Sequence, residues 1–93
     1  MQLVVFTSEN CGPCTQLKRS IEQVSLPEGM TYREVDAEKS PQEAMRYSVR
    51  GLPTLIVTDG DGIPVQTRTG YMSVSALDRF IRGAVCMCGS RRA

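Results

Sequence analysis

Apolar positions cluster first at Leu3-Val4-Val5-Phe6, an unbroken run rich in β-branched residues. Such a run predicts a strand covered on both faces, a central parallel strand from Gln2 to Thr7. After Ser8-Glu9-Asn10, apolar side chains return at Cys14, Leu17, Ile21 and Val24. Spacings of three and four put them on one face of a helix from about Gly12 to Val24, ended by Pro27 and Gly29. Thr31 to Asp36 reads as a second strand, so the first three elements form a right-handed crossover.

Ser40-Pro41-Gln42-Glu43 has a Ser cap, Pro at the first helical position and Glu three residues after the cap, which predicts a capping box and a short helix to about Tyr47. Thr54-Leu55-Ile56-Val57-Thr58 fits a buried strand. Asp59-Gly60-Asp61-Gly62 supplies turn residues for a hairpin, and the alternation from Ile63 to Thr69 predicts an antiparallel return strand. Ser73 caps a closing helix whose apolar stripe is Val74, Leu77, Phe80, Ile81, Ala84 and Val85. The expected fold class is α/β, in the order βαβ-α-ββ-α, with the first and third helices on one sheet face and the second on the other. One domain is expected over residues 1–85, followed by a C-terminal tail over residues 86–93.

The chain has 93 residues, the size of one hydrophobic core. Eleven Lys and Arg against ten Asp and Glu leave a formal charge of +1, so no net field steers the chain to nucleic acid or anionic lipid. No apolar run approaches the ~18 residues of a membrane span, and no basic region with an apolar core marks a secretory leader. Zero His excludes Ser-His-Asp and Cys-His catalysis and any His-containing zinc site. The four cysteines fall in two close pairs, Cys11-x-x-Cys14 and Cys86-x-Cys88, far apart in the chain. A secreted disulfide framework spreads its cysteines through the loops it staples, so a cytoplasmic redox or metal role is expected instead.

Cys11-Gly12-Pro13-Cys14 falls where the first strand hands over to the first helix. Cys11 is placed at the helix cap, where unpaired backbone N–H groups and the positive end of the helix dipole favour a thiolate without any imidazole. Cys14 lies one turn inside, close enough to close a disulfide and to displace a substrate from Cys11. Pro13 constrains the turn, and its missing N–H costs nothing there.

Cys11-Gly12-Pro13-Cys14 after an apolar strand, Gly51-Leu52-Pro53-Thr54 before another, and Gly70 at the end of the last strand resemble the thioredoxin family. The resemblance covers about residues 2–85 and implies the thioredoxin fold, a four-stranded mixed sheet in the order 2-1-3-4. It implies a thiol–disulfide oxidoreductase that reduces protein disulfides, with Cys11 attacking and Cys14 resolving. It further implies that the Leu52–Pro53 bond is cis, that Pro53 packs beside the cysteines and keeps metal away, and that the Leu52 backbone pairs with a client chain. Gly12, Pro13, Gly70 and Tyr71 complete the expected substrate groove. Neither organic cofactor nor metal is required. A thioredoxin reductase or other dithiol donor supplies the electrons, ribonucleotide reductase is one client on family analogy, and the chain is expected to be a monomer.

The chain departs from the family pattern in several places. Asn10 stands where thioredoxins carry Trp, Val5 occupies the place of a buried Asp, and Tyr32 sits where its Lys partner would be. The chain starts directly at the central strand, so in size it is similar to glutaredoxins and other minimal redoxins. Gly-Pro between the cysteines and Leu52 before Pro53 do not match a glutathione site. A glutathione-dependent glutaredoxin remains the enzymatic alternative, and a zinc-binding or redox-inert adaptor the non-enzymatic one.

Other features have plainer readings. Cys86 and Cys88 read as free thiols remote from the first pair, against a second redox pair or a metal-trapping tail. Met45, Tyr47, Tyr71 and Met72 read as packing residues, with Tyr71 the one placed to meet substrate because it adjoins Gly70. Asp59 to Gly62 lacks the remaining ligands of a calcium loop, so no calcium site is expected.

Overall fold

The computed structural model describes the backbone of residues 1–92 and the side chains of residues 1–86. Seven elements follow in order: β1 (Gln2–Thr7), α1 (Gly12–Gln23), β2 (Thr31–Asp36), α2 (Pro41–Arg46), β3 (Thr54–Thr58), β4 (Pro64–Thr69) and α3 (Val74–Arg92). They build a four-stranded sheet in the order β2-β1-β3-β4. β1 runs parallel to β2 and antiparallel to β3, and β4 returns antiparallel to β3. The expected α/β architecture is the one found.

The apolar run of β1 divides by strand alternation between two cores. Leu3 and Val5, with Leu55 and Val57 of β3, pack against Leu17 and Ile21 of α1 and Leu77, Phe80, Ile81 and Ala84 of α3. Val4, Phe6, Val35 and Ile56 face the other way and are covered by Ala44, Tyr47 and their neighbours around α2. Leu3, Val4, Val5, Phe6 and Leu55 to Val57 have no exposed surface, and burying each such side chain contributes about 1.5–3 kcal/mol. That burial is why two central strands carry no polar face. The outer strands do: β4 has no fully buried residue.

Two terminal details differ from expectation. Ser40 is the N-cap of α2 and Pro41 opens it, but no side-chain bond caps the helix. Glu43 turns away to Arg33 on β2 instead, because a charge-assisted bond to guanidinium outcompetes a bond to a neutral N–H. The capping box is therefore not formed. Ser73 does cap α3, accepting a bond from the Ala76 N–H at 3.2 Å. α3 continues to Arg92, through backbone expected as tail. The apolar stripe that stops at Val85 marks the face packed on the sheet and does not mark where the helical backbone ends.

No helix among the described residues is long and apolar enough to cross a membrane.

Candidate active site

Three connections meet at one end of the sheet. Parallel β1 delivers the chain through Ser8-Glu9-Asn10 to the head of α1. The antiparallel register of Phe6 with Thr54 sets the start of β3 beside the end of β1. The register of Thr54 with Thr69 then brings the end of β4 to the same place.

Cys11 is the N-cap of α1, extended at φ −111° and ψ 105°, and Pro13 occupies the first turn. The Cys14 N–H donates to Cys11 Sγ at 3.2 Å, so the sulfur holds the place that a cap oxygen takes in an ordinary helix. The two cysteines form a disulfide across 5.2 Å between Cα atoms. Cys14 is buried and Cys11 half-buried, while Gly12 and Pro13 are exposed. Only the first sulfur of the pair faces the solvent side of the turn.

The Leu52–Pro53 peptide is cis, Pro53 is fully buried and Leu52 half-buried. Gly70 lies at φ +106°, and its N–H donates to the Pro53 carbonyl at 2.8 Å. Tyr71, next in the chain, is 51% exposed, while Met72 turns into the core. Tyr47 also packs inward, its ring 5.7 Å from that of Phe6. Met45 is exposed on α2.

Two groups of residues gain parts that pattern alone does not assign. Thr54 is buried, and its hydroxyl donates to the Gly51 carbonyl at 2.6 Å and approaches the Thr69 hydroxyl at 3.4 Å. It ties the Gly51-Leu52-Pro53 turn to both strands below it; its place directly after Pro53 is the sequence signal. Glu34 is the strand partner of Val5 and gathers three groups. Lys18 Nζ lies 2.8 Å from its Oε1, the Thr7 hydroxyl donates to the same oxygen at 3.4 Å, and the Tyr32 hydroxyl donates to Oε2 at 3.3 Å. Burial, reinforced by the Glu34 charge and that hydrogen bond, pushes the Tyr32 phenol up to about 12. Lys18 follows Cys14 by one helical turn, which is the signal for its approach to this end of the sheet. Thr7, Glu9, Lys18, Glu34, Asp36 and Lys39 wall a polar hollow of about 340 Å³ beside the cysteine loop.

No group of three or more His, Cys, Asp or Glu assembles as a metal set among the described residues. Cys86 is a free, exposed thiol on α3, and the Cys88 side chain lies outside the described residues.

The thioredoxin family model matches residues 1–83. The chain belongs to the thioredoxin family. It is 31% identical to a thioredoxin of Rhodospirillum rubrum over 84 residues, covering 88% of this chain and 80% of that one. It is 30% identical to the SPbeta prophage-derived thioredoxin-like protein YosR of Bacillus subtilis, over 88% of this chain and 96% of the relative. Among solved structures, a mutant thioredoxin from Halobacterium salinarum superposes with a TM-score of 0.78 at 29% identity, over 89% of this chain and 73% of the other. The thioredoxin family and its cysteine pair identify a thiol–disulfide oxidoreductase acting on protein disulfides.

Proposed function

We propose that Cys11 is the attacking thiolate and Cys14 the resolving thiol of a protein-disulfide reductase. One observation carries the assignment: Cys11 Sγ caps α1 and accepts the Cys14 N–H, while Cys14 itself is buried. A donor N–H and the positive end of the helix dipole stabilise negative charge on that sulfur once the disulfide is reduced.

Cys11 thiolate attacks one sulfur of the client disulfide, forming a mixed disulfide and releasing the other client sulfur as thiolate. Cys14 gives up its proton, attacks Cys11 Sγ and expels the second client thiolate. Two electrons pass to the client, and the pair is left as the Cys11–Cys14 disulfide. Leu52 and Pro53 offer backbone to the client chain, Gly12 and Pro13 form the opposite wall, and Gly70 and Tyr71 flank the groove. The protein works as a monomer in the cytoplasm. A thioredoxin reductase or another dithiol donor restores it, and ribonucleotide reductase is one client on family analogy.

Reduced protein should accelerate the dithiothreitol-driven reduction of insulin, and Cys11→Ser should abolish this; undiminished activity in the variant would refute the assignment. Turnover with NADPH and a thioredoxin reductase, but not with glutathione and hydroxyethyl disulfide, is expected.

A further inference from the structure

The groove between β4 and α3 holds two cations that form no ion pair among the described residues. Gln66 and Arg68 of β4, with Met72, Ala76, Arg79 and Phe80, line a space of about 360 Å³. Arg68 is the strand partner of Leu55 and Gln66 of Val57, and those two partners belong to the core beneath α3. Both β4 side chains therefore rise on the α3 side of the sheet. Met72 and Phe80 are buried and give the groove an apolar floor, while Arg68 and Arg79 are exposed along its walls. The four ion pairs among the described residues use Lys18, Arg33, Lys39 and Arg82, so neither groove arginine has an acidic partner.

β4 is an outer strand of the sheet, with one backbone edge unpaired. Pro64 and the irregularity at Val57 and Thr58 blunt its far end, whereas the Thr67–Thr69 end runs straight into Gly70. An open edge accepts an extended chain through backbone hydrogen bonds, and unpaired guanidinium groups select carboxylates on it. We propose that the Arg68–Arg79 groove selects disulfide clients that carry an extended acidic segment a few residues from the reducible cysteine. The proposal rests on the reading of Leu52-Pro53 and Gly70 as the client groove; Gly70, whose N–H bonds the Pro53 carbonyl, stands in the chain between Arg68 and Met72 of this one.

The test uses disulfide-linked peptide dimers in three versions, carrying four acidic residues, four glutamines or four lysines three to six residues from the cysteine on either side. Each reduced protein molecule converts one dimer to two thiols and is itself oxidised to the Cys11–Cys14 disulfide. Two partly exposed Arg–carboxylate contacts favour the acidic dimer by about tenfold in kcat/KM over the glutamine one, a preference that shrinks in about 0.5 M salt. Arg68→Glu with Arg79→Glu is expected to prefer the lysine dimer. Arg82→Gln, which removes a cation outside the groove, is expected to keep the acidic preference. Equal kcat/KM for all three dimers in the unaltered protein overturns the proposal, as does an acidic preference that survives the double reversal or vanishes in Arg82→Gln. Reduction of none of them removes the dithiol reading itself, and the proposal with it.

Discussion

The Gly70 N–H donates to the Pro53 carbonyl at 2.8 Å, which joins the first residue past β4 to the residue just before β3. Gly70 can make this bond because it stands at φ +106°, where a side chain is strained. A Cβ placed there meets nothing within 4 Å, so the strain is entirely in the backbone. Gly70→Ala is expected to cost about 1–3 kcal/mol. Thermal unfolding should fall by roughly 4–8 °C per kcal/mol in a domain of this size, and an unchanged midpoint would show that the turn relaxes freely.

Thr54 holds the same turn from below. Thr54→Val keeps the shape but removes the donor to Gly51, leaving a carbonyl without its side-chain partner at a cost of about 1 kcal/mol. Because Gly51 leads directly into Leu52 and Pro53, KM for a protein disulfide should rise more than kcat falls. Thr54→Ser keeps the hydroxyl and should restore KM; if it behaves like the Val variant, the hydroxyl does not position the turn.

The unequal exposure of the two cysteines separates their roles in a single measurement. Cys14→Ser leaves Cys11 able to attack but nothing to displace the client, so a covalent protein–client adduct should accumulate and dissociate on adding dithiothreitol. Cys11→Ser should form no such adduct. Peptide-mapping mass spectrometry after mixing with a disulfide client reads both and separates them from any adduct on the exposed Cys86, and an adduct on Cys14 in the second variant would reverse the assignment.

Tyr32 makes stability depend on alkaline pH. Its phenol ionises near 10.0 when solvated and near 12 in the fold, first because of burial and then because of Glu34. The folded state therefore keeps a proton that the unfolded chain loses, and this contribution to stability is whole below pH 10 and disappears as pH rises towards 12. Denaturant unfolding across that interval should show a decline that is smaller in Tyr32→Phe. Tyrosinate absorbance should show one group titrating near 12 that is missing from the variant; identical titrations would show that Tyr32 is not held there.

Much of the fold is legible along the chain because burial leaves a periodic trace. Leu3 to Phe6 and Leu55 to Val57 are continuous apolar runs because both faces of the central strands are covered. Leu17 and Ile21 recur at helical spacing because α1 is covered on one face only. Cys11 is legible as a helix cap because strand and helix signals abut there. The short-range reading misleads at Glu43, which has the spacing of a cap partner but is drawn to Arg33 on another strand. It also loses α3 after Val85, where the helix goes on without an apolar stripe.

What the linear order of residues determined by itself is the set of elements, the two core faces and the cysteine pair at the head of a helix. All of these depend on neighbours within a turn or a strand. Tertiary structure alone decided that Thr54 braces the Gly51 carbonyl, that Lys18, Tyr32 and Thr7 converge on Glu34, and that Arg68 and Arg79 share a groove. Those relationships are set by strand register and by the seating of helices on the sheet. Such geometry comes from packing the whole core at once, and no local spacing records it.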